Sequence, residues 1–171
     1  YRAVDILNKV DICASEDTRV SRILFKKYDI STKLISYHKF SEKSKINSLI
    51  NLLKSGKDIA LISDAGTPLI SDPGQYLVEA AIENQIKTIP IPGPTSVIAA
   101  LSVSGFNLET FTFYGFFPRK LKERKKILKE IASSNGPSVI FESGRRLEKL
   151  IDTLSEELHE KCKILIAREM T

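Results

Sequence analysis

The twelve residues 63–74, Ser-Asp-Ala-Gly-Thr-Pro-Leu-Ile-Ser-Asp-Pro-Gly, are the part of the chain best supplied for binding chemistry. Turn formers and short polar side chains dominate, more than one chain reversal needs. They follow Asp58–Ser63, an apolar run that reads as a strand covered on both faces, as in a parallel sheet. The loop therefore leaves the carboxyl end of a strand, where open α/β sheets take their ligands. Gly66 carries no Cβ to hold a ligand off the main chain. Asp64 can accept hydrogen bonds from hydroxyls or an amine, and Thr67 offers a short hydroxyl. Asp72 has a plainer role, as a helix N-cap with Pro73 at the first helical position. Pro92-Gly93-Pro94-Thr95-Ser96 has the same character: a strand end, a rigid loop, then a helix whose free N–H groups can hold an anionic group.

Acid–base candidates lie elsewhere. Glu16 and Asp17, just past a strand end, could serve as a general base; a helix cap plus a dipole-complementing acid explains them equally well. Glu169, beside Arg168, is a base or half of an ion pair. His38 has a suitable pKa, but a lone histidine at a strand end is more often structural, and His159 reads as surface. Tyr114 and Phe116 could stack on a base, with core packing the stronger expectation for Phe116. No phosphate-loop, dinucleotide or nucleophile-elbow motif occurs, and two histidines with two distant cysteines, Cys13 and Cys162, make no metal site. The cysteine usage suits a reducing cytoplasm.

Charge is the other informative feature. The 171 residues carry 26 Lys+Arg against 21 Asp+Glu, a net of +5. Seven basic residues and one acid, Glu123, lie between Arg119 and Lys129; the rest of the chain holds 19 basic and 20 acidic residues. One helix thus carries the whole surplus. On a helical wheel Leu121, Leu128, Ile131 and Ala132 share one side, with Arg124 and Lys125 bordering it. Arg119, Lys120, Lys122, Lys126 and Lys129 project outward, where phosphates could be met. A solvated face is the plainer reading of such a run.

The elements that must position these residues alternate, as in an α/β fold. Strands are expected at 11–14, 34–37, 58–63, 87–91, 111–114, 137–141 and 163–167. Helices are expected at 17–28, with Val20, Ile23 and Leu24 on one face, and at 42–55, burying Ile46, Leu49, Ile50 and Leu53. Further helices fall at 73–84, 95–104, across the basic run and at 145–158. Gly105-Phe106-Asn107 divides an N-terminal domain, 1–106, from a second, 107–171. The longest apolar stretch is far short of a membrane span, and residues 1–5 lack a signal-peptide pattern.

The 63–74 loop, with Glu16-Asp17-Thr18-Arg19, Pro92-Gly93-Pro94-Thr95-Ser96 and Gly115-Phe116-Phe117-Pro118-Arg119-Lys120, resembles the ribosomal small-subunit RNA methyltransferase I family. Phe141-Glu142-Ser143 and Ala167-Arg168-Glu169-Met170-Thr171 continue the resemblance, which follows the family's order along nearly the whole chain. That family sits in the tetrapyrrole methylase superfamily. The resemblance implies two α/β domains with S-adenosylmethionine between them, no metal, and a cytoplasmic homodimer. It implies methylation of the ribose 2′-hydroxyl of a cytidine in the decoding region of 16S rRNA within the 30S subunit. Carried onto this chain, the cofactor contacts are Ala65, Gly66, Thr67 and Ile70, then Thr95 and Ser96, then Glu142; Asp64 joins them from the loop's own chemistry. Arg119, Lys120, Lys122, Arg124, Lys125 and Lys126 become the RNA-contacting group.

Some features depart from that pattern. The family's opening strand and its Thr-Pro-Ile-Gly-Asn turn precede Tyr1, and the family continues past Thr171, so the chain reads as a fragment. Gly144-Arg145 stands where Pro-His is commoner, and Ser41 where Asn is usual. Two rival readings stay open: a tetrapyrrole methyltransferase whose acidic substrate uses the basic patch, and an RNA-binding module without catalysis.

Overall fold

The computed structural model describes residues 1–159 and 161–170, and of residue 42 the backbone alone. It is an α/β protein with α1 (Arg2–Leu7), β1 (Ile12–Ser15), α2 (Thr18–Lys27), β2 (Lys33–Ser36), α3 (Glu42–Lys54) and β3 (Ile59–Ile62). There follow α4 (Gln75–Glu83), α5 (Ser96–Ser102), β4 (Thr112–Phe116), α6 (Leu121–Ser133), β5 (Ser138–Phe141) and α7 (Gly144–Glu157). By contact the chain forms two compact units, Tyr1–Thr95 and Ser96–Thr171; this division lies upstream of the Gly105–Asn107 segment.

In the first unit β1 pairs in parallel with both β2 and β3, giving the order β2-β1-β3, with Ser15 level with Ser36 and Ile62. Alternation along the central strand explains why both faces are covered. Ala14 joins Tyr37, Leu49, Ile50, Leu77 and Ala81 in one cluster, built with α3 and α4. Cys13 joins Leu7, Phe25 and Ile30 in another, built with α1 and α2. Truncating Phe25 to alanine would cost roughly 3–5 kcal/mol. The apolar β3 is an edge strand of this sheet, with all four residues half-buried rather than enclosed.

Helix ends follow local chemistry. Asp17 caps α2, accepting from the Arg19 N–H at 2.8 Å, and Lys26 and Lys27 sit in its last turn, where they complement the helix dipole. Gly56, with φ +87°, terminates α3 just beyond Ser55.

Several expectations are corrected. The inward face of α2 is Ser21 and Phe25, while Val20, Ile23 and Leu24 face out. The Ser15 and Ser21 hydroxyls, 2.6 Å apart and buried, set that rotation together with the Phe25 ring. Helix α4 begins at Gln75 with Gly74 as its N-cap, so Asp72 is not the cap. Gly74 has φ +136°, and a Cβ there would lie 2.6 Å from Leu61 Cδ2 and 2.9 Å from Leu69 Cδ1. Packing of the loop onto β3 therefore delays the helix start. Residues 87–91 form no ladder among the described residues; Pro90 and Pro92 offer no N–H to one.

In the second unit β4 and β5 pair in parallel, and the register slips by one residue between Phe113 and Phe116. Gly115, with φ +67°, lies in this bulge. The extra residue reverses the alternation beyond it. Phe117 becomes the core ring at 2% exposure and Phe116, expected in the core, is 60% exposed. Phe117 packs with Leu128, Leu150 and Leu154, between α6 and α7. The inward arc of α6 runs through Arg124, Ile127, Leu128 and Ile131, leaving Leu121 and Ala132 exposed. Arg124 takes that arc because its guanidinium lies 5.3 Å over the Phe117 ring and donates to Thr153 Oγ1. Residues 163–167 have no ladder partner among the described residues, and Ile164, Leu165 and Ile166 are exposed.

Candidate functional site

In the order β2-β1-β3 the chain leaves β1 toward β2 on one side, while β3 lies on the other. The switch point of the sheet is thus the crevice between the carboxyl ends of β1 and β3. Glu16-Asp17 and the 63–74 loop both issue there, 47 residues apart for Asp17 and Asp64, and two hydrogen bonds join them. The Glu16 N–H donates to the Ile62 carbonyl at 3.4 Å, and the Asp17 N–H donates to Asp64 Oδ1 at 3.1 Å.

The two candidate bases have opposite electrostatics. The Asp17 carboxylate accepts from Arg19 Nε at 3.0 and 3.1 Å and from Nη2 at 2.6 Å. Those bonds, with the Arg19 main-chain N–H, hold its pKa down at about 2, which leaves it a feeble base. Glu16 is half-buried, and its pKa is raised, first by desolvation and then by Asp72, Asp64 and Asp17; the Asp64 main-chain N–H opposes this. Asp72 is also raised by desolvation, with Asp64 adding to it and the Ser63 side chain opposing it. Among the described residues no group of three His, Cys, Asp or Glu is placed to hold a metal ion.

The 63–74 loop is tightly constrained. Gly66 (φ +79°) and Gly74 are left-handed, and so are Leu69 (φ +73°) and Ser71 (φ +71°), each of the latter two at a cost of roughly 1–3 kcal/mol. Holding that backbone are the Ser63 hydroxyl on the Ala65 carbonyl (3.3 Å), the Thr67 hydroxyl on the Pro94 carbonyl (3.2 Å) and the buried Gly74. The Thr67 bond brings the second sequence-identified loop, 92–96, against the first. A Cβ on Gly66 would stand 3.7 Å from the Pro94 oxygen, and Asp64, Ala65, Gly66, Thr67 and Ile70 are exposed around it. The pair of loops thus leaves a space at Gly66, whose φ of +79° favours a residue without a side chain. Thr95 is half-buried; Ser96 begins the short α5 and is exposed.

In the second unit Glu142 is engaged with the protein. Its Oε1 accepts from the Ser143 N–H at 2.7 Å and its Oε2 meets Arg146 Nη2 at 3.0 Å, with its side chain 5% exposed. Arg146 also donates to the Phe117 carbonyl at 3.0 Å and the Pro118 carbonyl at 3.4 Å, clamping the lead-in to α6. Sequence reasoning missed Arg146; its spacing of four from Glu142 was the available signal. Arg19 was missed too, as the group that commits Asp17.

Arg119, Lys120, Lys122, Lys125, Lys126 and Lys129 are exposed, whereas Arg124 faces the core. Lys120 meets Glu123 at 3.4 Å and Lys126 meets Glu130 at 3.9 Å, exposed pairs worth little in stability. Between β4 and α6 runs a groove of about 390 Å³, with Tyr114, Phe116 and Pro118 on one side and Lys126, Ile127 and Glu130 on the other. Of the other candidates, the His38 ring is edge-on to Phe40 at 6.2 Å and His159 is exposed. Arg168 and Glu169 form an exposed pair at 3.4 Å, and Thr171 lies outside the described residues.

A helix-flanked parallel sheet with a constrained, glycine-bearing loop at its switch point defines an open-sheet α/β protein. The chain matches the family model "Tetrapyrrole (Corrin/Porphyrin) Methylases" over residues 1–171, and it belongs to that family. Similar proteins include one from Vibrio cholerae, 43% identical over 170 residues that make up 99% of this chain and 59% of the relative. Another, from Escherichia coli O157:H7, is 39% identical over 99% of this chain and 59% of its own length. A third, from Synechocystis, is 41% identical over 99% of this chain and 61% of its own. All three bear the name ribosomal RNA small subunit methyltransferase I, the family the sequence motifs resemble. The chain spans about three-fifths of the length of these relatives.

Proposed function

We propose that this chain is the cofactor-binding part of an S-adenosylmethionine-dependent methyltransferase. Its substrate is the ribose 2′-hydroxyl of a cytidine in the decoding region of 16S rRNA, met within the 30S subunit. The observation that carries the reading is the constrained 63–74 loop at the β1/β3 switch point, open at Gly66 and braced by Pro94. The names of the relatives supply the class of substrate.

Asp64, Ala65, Gly66, Thr67, Ile70 and Thr95 are the cofactor contacts we assign in the first unit; Ser96 and Glu142 are assigned by the family resemblance alone. When bound, S-adenosylmethionine supplies a methyl group on a positively charged sulfur. The main chain at Ala65–Thr67 offers hydrogen-bonding groups with no Cβ in their way at Gly66. Glu16, with its raised pKa, is the better of the two candidate acids for taking the proton of a ribose hydroxyl at its carboxylate. Asp17, committed to Arg19 and the α2 cap, positions the turn. Arg119, Lys120, Lys122, Lys125 and Lys126 attract the RNA backbone, and Arg124 supports them from the core side. The protein works in the cytoplasm as a homodimer.

The test is methyl transfer by the full-length protein from labelled S-adenosylmethionine to 30S subunits and, in parallel, to a tetrapyrrole. Label mapping to a ribose 2′-oxygen of 16S rRNA is expected. Label on the tetrapyrrole, or none in either, would overturn the reading.

A further inference from the structure

The groove between β4 and α6 has the size of a small-molecule site, and of its lining the proposed function uses Lys126 alone. Its composition is specific. One wall is aromatic and rigid: Tyr114, the 60% exposed Phe116, and Pro118. The opposite wall is Ile127 with Lys126 and two carboxylates, Glu123 and Glu130. Both carboxylates are met by lysines, Glu123 by Lys120 and Glu130 by Lys126. A large exposed ring usually invites burial, yet this one is held out deliberately. The one-residue slip at Gly115 turns Phe117 into the core and Phe116 out of it. Phe141 then supports the Phe116 ring edge-on, with centroids 5.5 Å apart and planes at 63°, and is itself met by Phe113 at 4.9 Å. The platform is therefore braced from behind within β4 and β5. Along α6, the helix that forms the other wall, Lys122, Lys125 and Lys129 are exposed cations.

The groove itself, whose carboxylates repel phosphate, suits a planar, uncharged ring, while phosphates suit the exposed lysines on the adjoining turn of α6 outside the groove. We propose that the groove receives an unpaired nucleobase of a single RNA strand, stacked on Phe116, while the neighbouring phosphates lie along the cationic face of α6. Stacking is sequence-tolerant, because every base has a π-face. Duplex RNA, whose bases are already stacked and paired, is excluded from the groove. The inference rests on the proposed RNA substrate and adds to it a residue that grips a base rather than the backbone.

The experiment uses the full-length protein and a fluorescein-labelled single-stranded oligouridylate, with fluorescence anisotropy over a salt series. Stacking on an aromatic side chain, at roughly 1–3 kcal/mol, converts to an expected loss of about 5- to 150-fold in affinity for Phe116→Ala. Phe116→Trp restores binding to near the wild-type value. The slope of log affinity against log salt is the same in all three proteins, because the phosphate contacts are untouched. A hairpin duplex of equal length binds wild type and Phe116→Ala alike.

Three results overturn the assignment: wild-type affinity in Phe116→Ala, a changed salt slope, or equal losses on duplex and single strand. If the wild-type protein binds no single-stranded RNA, the groove assignment falls, while methyl transfer to 30S subunits decides the RNA reading separately. Calorimetry with S-adenosylmethionine separates a further occupant. Unchanged cofactor affinity in Phe116→Ala supports the RNA base, and its loss reassigns the groove to the adenine of the cofactor.

Discussion

The main-chain N–H of Asp17 donates to Asp64 Oδ1 at 3.1 Å, tying the turn after β1 to the loop after β3. One carboxylate thus sets the spacing of the two segments that flank the switch point. The donor residue's own carboxylate, Asp17, is simultaneously held by Arg19. Replacing Asp64 by alanine releases the turn and should weaken S-adenosylmethionine binding by about 2- to 13-fold, the worth of one net hydrogen bond of ~0.5–1.5 kcal/mol. Asp64→Asn keeps an accepting oxygen and should stay near wild type in the same calorimetric titration. Equal losses in both variants would show that the charge, not the tether, matters.

Gly66→Val should abolish measurable cofactor binding. A branched side chain at φ +79° strains the backbone by roughly 1–2 kcal/mol and fills the space beside Pro94. Thermal unfolding shows whether the sheet survives. Wild-type cofactor affinity in a folded variant would refute the loop assignment.

The Asp17–Arg19 pair gives a signed pH prediction. Its folded pKa, about 2, is below the ordinary 3.8, so its stabilising contribution is complete above 3.8 and disappears as pH falls toward about 2. Asp17→Asn retains a capping side chain but loses the charge. The variant should melt lower than wild type at neutral pH, and the gap should close progressively across that acid window. A gap that persists at pH 2 would assign the effect to capping geometry.

Glu16 runs the other way. A carboxyl pKa raised above 4.5 keeps the group protonated at mildly acidic pH, so a rate that needs its base form falls as pH drops through that raised value. In full-length protein, Glu16→Gln should remove that acid limb and lower the methyl-transfer rate by roughly 10²–10⁴. An intact acid limb in the variant would move the base elsewhere.

Reversing Lys122, Lys125 and Lys126 to Glu should spare cofactor affinity while weakening RNA binding. Three lost phosphate contacts lower the single-strand salt slope by about 2. Unaltered RNA affinity and slope would make the α6 cations a solubilising face.

The cysteines supply a check on the fold alone. Burial raises the Cys13 thiol to about 12, whereas Cys162 is exposed. A disulfide reagent at neutral pH should titrate one thiol rapidly in the folded chain and the second only on unfolding.

Patterns local to a few residues were legible before any coordinates. The parallel strands of the first unit, the α3 burial pattern and the irregular backbone of the 63–74 loop all follow from apolar runs and turn chemistry. Features decided by distant contacts were not. The Asp72-Pro73 pair reads as a helix start, yet Gly74 packing against Leu61 moves the start to Gln75. The rotation of α2 depends on a hydroxyl pair between Ser15 and Ser21, which no helical wheel contains. Phe116 and Phe117 exchanged places through a single extra residue, whose only sign was a glycine inside a strand.

The order β2-β1-β3 also has a temporal consequence. As the chain emerges from its N-terminus, β1 and β2 can pair as soon as both exist, but the crevice has only one bank until β3 docks on the far side of β1. Thr67 then has nothing to brace it until Pro94 arrives. A nascent chain halted before Asp64 would possess no half-strength version of the site. On the proposed cofactor reading, capture during synthesis should therefore switch on in one step after the second loop clears the ribosome, and so report the moment Pro94 meets Thr67 rather than the earlier docking of β3.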